Sequence, residues 1–355
     1  MVANADFWRG KRVLVTGHTG FKGAWLSLWL GQLGADVAGY SLPPPSEPSL
    51  FQAAALAQRM RSITADVRDL AALRAAFQEV RPEIVLHLAA QALVRPSYED
   101  PVATFDTNVM GTVNVLEAAR QQPETRSVVV VTSDKCYENR EWSWGYRENE
   151  AMGGHDPYSS SKGCAELVTA AYRSSFAKGG ALGIASARAG NVIGGGDWAK
   201  DRIIPDFVRA VTQGQALRVR NPGAVRPWQH VLEPLAGYLL LAQRLYDEPK
   251  RFAEGWNFGP VDTDARPVSW VVEQFARNWG QGVTWQTDPG PHPHEANFLK
   301  LDCSKARNLL AWRPRLTLDQ ALSWVTDWYR EFSGGSSALE LCLSQLAAFE
   351  AITPE

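Results

Sequence analysis

Cysteine is scarce: the 355 residues hold four, at Cys136, Cys164, Cys303 and Cys342. No two form a CxxC pair, so neither a disulfide framework nor a zinc site is expected, and all four read as reduced thiols. The six histidines include no HExxH spacing, and His292-Pro293-His294 reads as loop rather than as a metal site. No apolar run approaches the ~20 residues of a membrane helix, so no membrane partner is expected. The stretch MVANADFWRGKRVLV lacks the basic-then-apolar layout of a secretory signal, and the expected compartment is the cytoplasm. A surplus of one charge is missing too: the formal net charge is -2, which excludes a general basic field for nucleic acid. What remains is an ordinary folding composition, 45% apolar and 21% charged, with an unusual 14 tryptophans.

The first half alternates strand and helix patterns. Arg12 to Thr16 (RVLVT) is a short β-branched run, and Phe21 to Leu33 carries a helical stripe that Gly34 stops. Ala35 to Tyr40 predicts a second strand, followed by a loop because Pro43, Pro44, Pro45 and Pro48 forbid regular structure. Asp69 caps a helix to about Glu79, Ile84 to Ala90 is a buried strand, and one helix is expected from Pro101 to Ala119. Val128 to Ser133 is a strand, Pro157 to Phe176 a helix and Leu182 to Arg188 a strand. Near-continuous apolar strands alternating with helices predict an α/β doubly wound parallel sheet of the Rossmann type. After Arg188 the chain becomes rich in glycine and proline, with helices expected at about 234–246, 269–279, 318–329 and 339–349. The expected division is a dinucleotide-binding domain of residues 1–188 plus about 228–262, and a smaller loop-rich lobe of about 189–227 and 263–355. The last helix is expected to serve packing or an oligomer contact.

Three motifs carry chemistry. Gly17-His18-Thr19-Gly20-Phe21-Lys22-Gly23 lies between a strand and a helix, where glycines admit a pyrophosphate to free helix N–H groups. Its GxxGxxG spacing departs from GxGxxG, and a glycine turn without a ligand is the alternative. The second strand ends Gly39-Tyr40-Ser41 without the usual ribose-binding acid, and Lys22 adds positive charge, so these residues leave NAD against NADP open. Asp66-Val67 could reach the adenine, although a solvated loop Asp is an equal reading. Further candidate contacts to the dinucleotide are Ala89, Ala90, Gln91 and Asn108.

Tyr158 and Lys162 stand at i and i+4, on one helical face. A free tyrosine is a poor base at neutral pH, and a neighbouring ammonium together with a cationic nicotinamide would favour its phenolate. Ser133-Asp134-Lys135 follows a buried strand at its carboxyl end, where ligands of doubly wound sheets sit. Ser133 can hydrogen-bond a sugar oxygen, and an acid beside an amine suits proton transfer at neighbouring carbons. A surface salt pair is the alternative for the last two.

The stretches GHTGFKGAWLSLWL (17–30), TSDKCYENREWSWGYRENE (132–150), DPYSSSKGCAELV (156–168), ARAGNVIGGGDWAKDRIIPD (187–206), RPWQHVLEPLAGYL (226–239) and HEANFLKLDCSKA (294–306) extend over most of the chain. In them it resembles the extended short-chain dehydrogenases/reductases, and among these the CDP-glucose 4,6-dehydratases. The Asp134-Lys135 pair stands where the related dTDP-glucose enzymes typically carry Asp-Glu. The resemblance implies NAD as cofactor, CDP-D-glucose as substrate, CDP-4-dehydro-6-deoxy-D-glucose as product, and a homodimer or homotetramer built on the helices at 101–119 and 157–176.

A mechanism follows as an expectation. Tyr158, helped by Ser133 and Lys162, takes the C4 hydroxyl proton while hydride passes to NAD. Neutral Lys135 then removes the C5 proton, protonated Asp134 assists the departing C6 hydroxyl, and hydride returns to C6. For the nucleotide, Arg226 is the expected diphosphate ligand because guanidinium matches phosphate bidentately. Asn191 at a strand end comes next, with Arg95, Arg202, Arg220 and His294 as further candidates. A sugar-nucleotide 4-epimerase would need Ser133, Tyr158 and Lys162 without the Asp-Lys pair. A catalytically silent dinucleotide sensor would need none of them.

Overall fold

The computed structural model describes residues 4–177, 179–280, 283–290 and 296–353. At its centre are seven strands: β1 (Arg12–Thr16), β2 (Asp36–Ser41), β3 (Arg61–Thr64), β4 (Ile84–His87), β5 (Ser127–Val131), β6 (Gly183–Ala189) and β7 (Gly255–Phe258). Their order is β7-β6-β5-β4-β1-β2-β3, and every neighbouring pair is parallel. The chain leaves β1 for one edge through β2 and β3, then crosses to β4 on the other side. The crevice above β1 and β4 is therefore the switch point where such sheets bind ligands. β4, β5 and β6 are buried along their whole length, as strands covered on both faces must be.

The covering helices begin where the chemistry of their first residues requires. Asp69 accepts from the Ala72 N–H at 3.0 Å and starts Leu70–Val80. Asp156 accepts from the Ser159 N–H at 2.9 Å and starts Pro157–Phe176, with proline in the first turn. The single helix expected over 101–119 is in fact three pieces: Pro101–Phe105, a π-helical turn Asp106–Met110, and Gly111–Arg120. Asn108, in the wide turn, bonds both Gln91 and Ser161 (2.8 Å to the latter), and Gly111 lies so close to Val67 that a Cβ would stand 2.8 Å from it. A π turn of this kind re-aims a side chain at a functional position.

Beyond β6 the chain forms short strand pairs rather than a second sheet. Val192–Ile193 pairs with Gln229–His230, Val225–Pro227 with Ala265–Pro267, and Leu217–Val219 with Trp285–Thr287. One apolar core runs from the β-sheet into the helices Leu232–Asp247, Val268–Trp279 and Leu318–Ser333. It takes up many tryptophans: Trp8, Trp25, Trp29, Trp256 and Trp328 are fully buried. Gly195 lies flat on the Trp328 indole, where a Cβ would stand 2.1 Å from the ring. The last helix, Ala338–Ala351, packs on its own chain: the Trp29 indole N–H donates to Glu350 at 2.7 Å, and Phe349 meets the Trp29 ring edge-on. All four cysteines are free thiols. Among the described residues no helix is long and apolar enough to cross a membrane, and no His/Cys/Asp/Glu group could hold a metal ion.

Candidate active site

The glycine turn joins β1 to the helix Phe21–Gln32. Gly17 has φ +77°, and a Cβ there would stand 2.7 Å from the Ala89 nitrogen; at Gly23 it would stand 2.1 Å from the Gly17 carbonyl. Those two glycines are demanded by the fold. Gly20 is different: its added Cβ would meet nothing nearer than the Gly17 oxygen at 3.4 Å. The helix start has no side-chain cap. An open Cβ direction beside uncapped N–H groups fits a pyrophosphate, so the residues present suit a dinucleotide. Phe21 points across to Gly194, joining the turn to the second half of the chain.

Around this turn the other expected residues divide. His18 is buried, fills the space left by Gly39 and bonds Ser62 at 2.7 Å; burial lowers its pKa to about 4, so it is a neutral support. At the end of β2, Ser41 and Thr19 share a hydroxyl bond of 2.9 Å. The Asp66 carboxylate is taken by Arg68, which lowers its pKa, and Val67 is a packing residue against Gly111. Ala89 donates to Thr16 at 3.2 Å, Ala90 is partly exposed beside it, and Gln91 is held by Asn108 at 2.9 Å.

The five expected reactive residues converge at the carboxyl end of β5. Ser133 donates to Asp134 Oδ1 at 2.9 Å and also bonds the Tyr158 phenol. Asp134 is buried, and its Oδ2 has no partner; it faces the space above Gly190. Burial raises the Asp134 pKa against the opposing pull of Lys135, Ser133 and Arg226. Lys135 beside it is half-exposed. Lys162 is buried and donates to the Val131 carbonyl at 3.2 Å; burial lowers its pKa to about 8. Burial pushes the Tyr158 pKa up to about 12, opposed by Ser133 and by Arg202.

Arg202 thus stands in the reactive cluster, tied to Asp197 at 2.9 Å. Arg95 and Arg220 both reach Asp201, at 3.2 and 2.9 Å, so the 197–202 turn gathers three guanidinium groups. Arg226 is buried on Val225–Pro227, and its charge acts on Asp134. Asn191 is half-buried just after β6, where its carbonyl accepts from Gln229 at 3.0 Å. His294 lies outside the described residues.

Two contributors escaped the sequence reading. His87, at the end of β4, bonds Thr16 at 2.7 Å and is held neutral by burial, which lowers its pKa to about 3. Tyr238, on Leu232–Asp247, is fully buried; Lys22 donates to its hydroxyl at 3.4 Å, and burial beside Tyr158 and Asp134 raises its pKa. Lys22 therefore reaches inward, into the field of Arg202, Lys162 and Asp134.

Sheet order, glycine turn and Tyr–Lys helix together define an extended short-chain dehydrogenase/reductase. A family model described as GDP-mannose 4,6 dehydratase matches residues 14–324, and the chain belongs to that family. It is 56% identical over 339 residues to the CDP-glucose 4,6-dehydratase of Salmonella typhimurium, covering 94% of each chain. Among solved structures, UDP-glucose 4-epimerase from Thermus thermophilus in complex with NAD is 25% identical, with TM-score 0.77, covering 90% of this chain and 98% of that one. dTDP-glucose 4,6-dehydratase from Bacillus anthracis with NAD is 21% identical, with TM-score 0.75, covering 92% and 99%.

Proposed function

We propose that this chain dehydrates CDP-D-glucose to CDP-4-dehydro-6-deoxy-D-glucose with NAD as its resident cofactor. The observation that carries the reading is Asp134: a buried carboxyl with a raised pKa and one unpartnered oxygen, next to Lys135 and Ser133. An epimerase has no use for such an acid, and the 56% identical relative is a CDP-glucose 4,6-dehydratase.

When bound, NAD accepts hydride from C4, returns it to C6, and in its oxidised form adds a positive charge that favours the Tyr158 phenolate. Tyr158 takes the C4 hydroxyl proton, with Ser133 hydrogen-bonding the same oxygen. Lys162 supplies positive charge beneath the phenol from one turn along the helix. The resulting 4-keto group acidifies C5–H. Lys135 takes that proton, and Asp134 gives its own to the C6 hydroxyl, which leaves as water. C5 regains a proton as C6 receives the hydride, so oxidation and reduction cancel.

Residues 1–188 plus about 228–262 serve the dinucleotide, and about 189–227 with 263–355 serve the sugar nucleotide. Arg226, Asn191, Arg202, Arg220, Arg95 and His294 are the residues assigned to the substrate. The chain works as a homodimer or homotetramer in the cytoplasm. Val102, Met110, Leu167 and Phe176, apolar and exposed by 78%, 47%, 60% and 53% on the helices assigned to the interface, support this pairing. Incubation with CDP-, dTDP-, UDP- and GDP-hexoses tests the function. Turnover of CDP-glucose to a base-labile 4-keto sugar is expected, whereas exchange of UDP-glucose with its 4-epimer and no water loss would replace this reading with the epimerase.

A further inference from the structure

The reactive segment 133–136 is tied down at both ends by one buried network whose members take no part in the chemistry. Ahead of it, Thr132 donates to Glu166 Oε1 at 2.5 Å. Glu166 is gripped by Arg188 on β6, whose Nε and Nη2 donate to its two oxygens at 2.8 Å each. Behind the segment, Arg188 Nη1 donates to the Tyr137 hydroxyl at 2.6 Å. That hydroxyl in turn donates to Asn257 Oδ1 on β7 at 2.7 Å. The Asn257 amide is fixed in this orientation, because its Nδ2 donates to the Tyr146 and Asp302 carbonyls at 2.8 and 3.1 Å. Thr132, Glu166, Arg188, Tyr137 and Asn257 are all buried, so water supplies no substitute for a bond lost here.

We propose that Tyr137 is a positioning residue for water loss: its hydroxyl, held between Arg188 and Asn257, fixes the Asp134–Lys135 couple in place, while the first oxidation depends on groups anchored elsewhere. The inference deepens the dehydratase reading and rests on it. Tyr158 and Lys162 belong to the helix Pro157–Phe176, and Ser133 adjoins Thr132 at the end held by Glu166. Asp134 and Lys135 instead lie in the single short turn Asp134–Cys136, immediately ahead of Tyr137. A turn of that kind has poor internal hydrogen-bond geometry and little stiffness of its own. Its far end has backbone bonds as well, from the Gly153 N–H to the Cys136 carbonyl at 2.8 Å and from the Glu138 N–H to the Ala151 carbonyl at 2.9 Å. Those bonds tie it to another loop. The phenol carries the anchorage on to β6 and β7.

Tyr137→Phe isolates this contribution. It keeps the ring that stacks on Tyr146 at 5.2 Å and that lies 5.0 Å from the Arg188 guanidinium, and it removes the two hydroxyl bonds. Arg188 retains Glu166 and the Glu148 carbonyl at 3.0 Å. An acid–base couple displaced by about 1 Å loses about 100-fold in its own step.

The test follows oxidation and water loss separately in the full-length protein loaded with NAD. CDP-glucose is added, the reaction is quenched at intervals, and keto sugars are trapped with borodeuteride and read by mass spectrometry. This separates the 4-keto sugar that retains its C6 hydroxyl from the one that has lost it. In Tyr137→Phe the undehydrated 4-keto sugar is expected to form at close to the wild-type rate and to persist, while its loss of water slows about 10–100-fold. Equal slowing of both steps together with a lower Tm would mean that the network only holds the fold, and overturns the proposal; wild-type rates of both steps overturn it too. Should Tyr137→Phe fail to fold, Asn257→Ser decides, since serine is too short to reach the hydroxyl. The same selective slowing is expected, and equal slowing of both steps overturns the proposal. A wild-type protein that forms no 4-keto sugar from CDP-glucose would fail the dehydratase reading and this inference with it, whereas normal wild-type dehydration with an unselective Tyr137→Phe fails this inference alone.

Discussion

Glu166 and Asp134 are both buried carboxylates near the end of β5, and they are in opposite conditions. Glu166 sits below the reactive loop with both oxygens engaged. Arg188 donates to each at 2.8 Å, Ser186 donates at 2.6 Å, and Thr132 adds a further bond. Those partners outweigh burial and hold its pKa below the usual range. Asp134 has Ser133 on one oxygen and nothing on the other, and burial raises its pKa. A fully paired buried charge organises structure, while an incompletely paired one is available for proton transfer.

The contrast breaks most visibly in rate. Asp134→Asn should lower 4-keto-6-deoxy product formation by about 10²–10⁴-fold while the urea midpoint stays level or rises, because an unpaired acid is removed. A stability loss matching that of the Glu166 variant would erase the distinction. Glu166→Gln should leave Arg188 without its counter-charge and cost about 3–5 kcal/mol in urea denaturation. A loss below about 1 kcal/mol would mean the network is ornamental.

Glu233 offers a third carboxylate far from the chemistry. One oxygen accepts the Arg315 and Leu316 N–H groups at 2.9 and 2.7 Å, the other is unpartnered, and burial lifts its pKa to about 7. A raised folded-state pKa contributes stability that is full below the ordinary glutamate range and is lost as pH rises through about 7. Glu233→Gln should therefore gain about 1–3 kcal/mol over wild type above that pH and flatten the decline, as read by urea denaturation on either side of it. A parallel decline in both proteins would assign the pH dependence elsewhere.

The glycine turn repeats the contrast on a smaller scale. Gly23→Ala should lower Tm, since its Cβ would overlap the Gly17 carbonyl at 2.1 Å. Gly20→Ala, in open space, should fold normally and weaken NAD binding about ten-fold, as measured by calorimetry. Equal effects of both on folding would remove the case that Gly20 exists for a ligand.

What could be read from the sequence followed from how local each signal is. Tyr158 and Lys162 lie one helical turn apart, Ser133, Asp134 and Lys135 are consecutive, and the glycines of the turn fall within seven residues, so pattern alone assembled them. Tyr238 was invisible because Leu232, Leu235, Leu239 and Leu241 make its helix look like plain core. Arg202 could not be told from a surface arginine, since its place beside Tyr158 depends on the 197–202 turn folding back through Asp197. The π turn at 106–110 left no mark in hydrophobic period; it follows from Asn108 reaching Gln91 and Ser161, contacts far apart in the chain.

The most direct test of the dehydratase account is the fate of the hydrogen on C4. CDP-glucose carrying deuterium at C4 should give a 4-keto product with that deuterium at C6, retained within the molecule, as read by mass spectrometry and NMR. A product with deuterium still at C4, or with none, would contradict an active site in which Tyr158, Asp134 and Lys135 serve one round of oxidation, water loss and reduction.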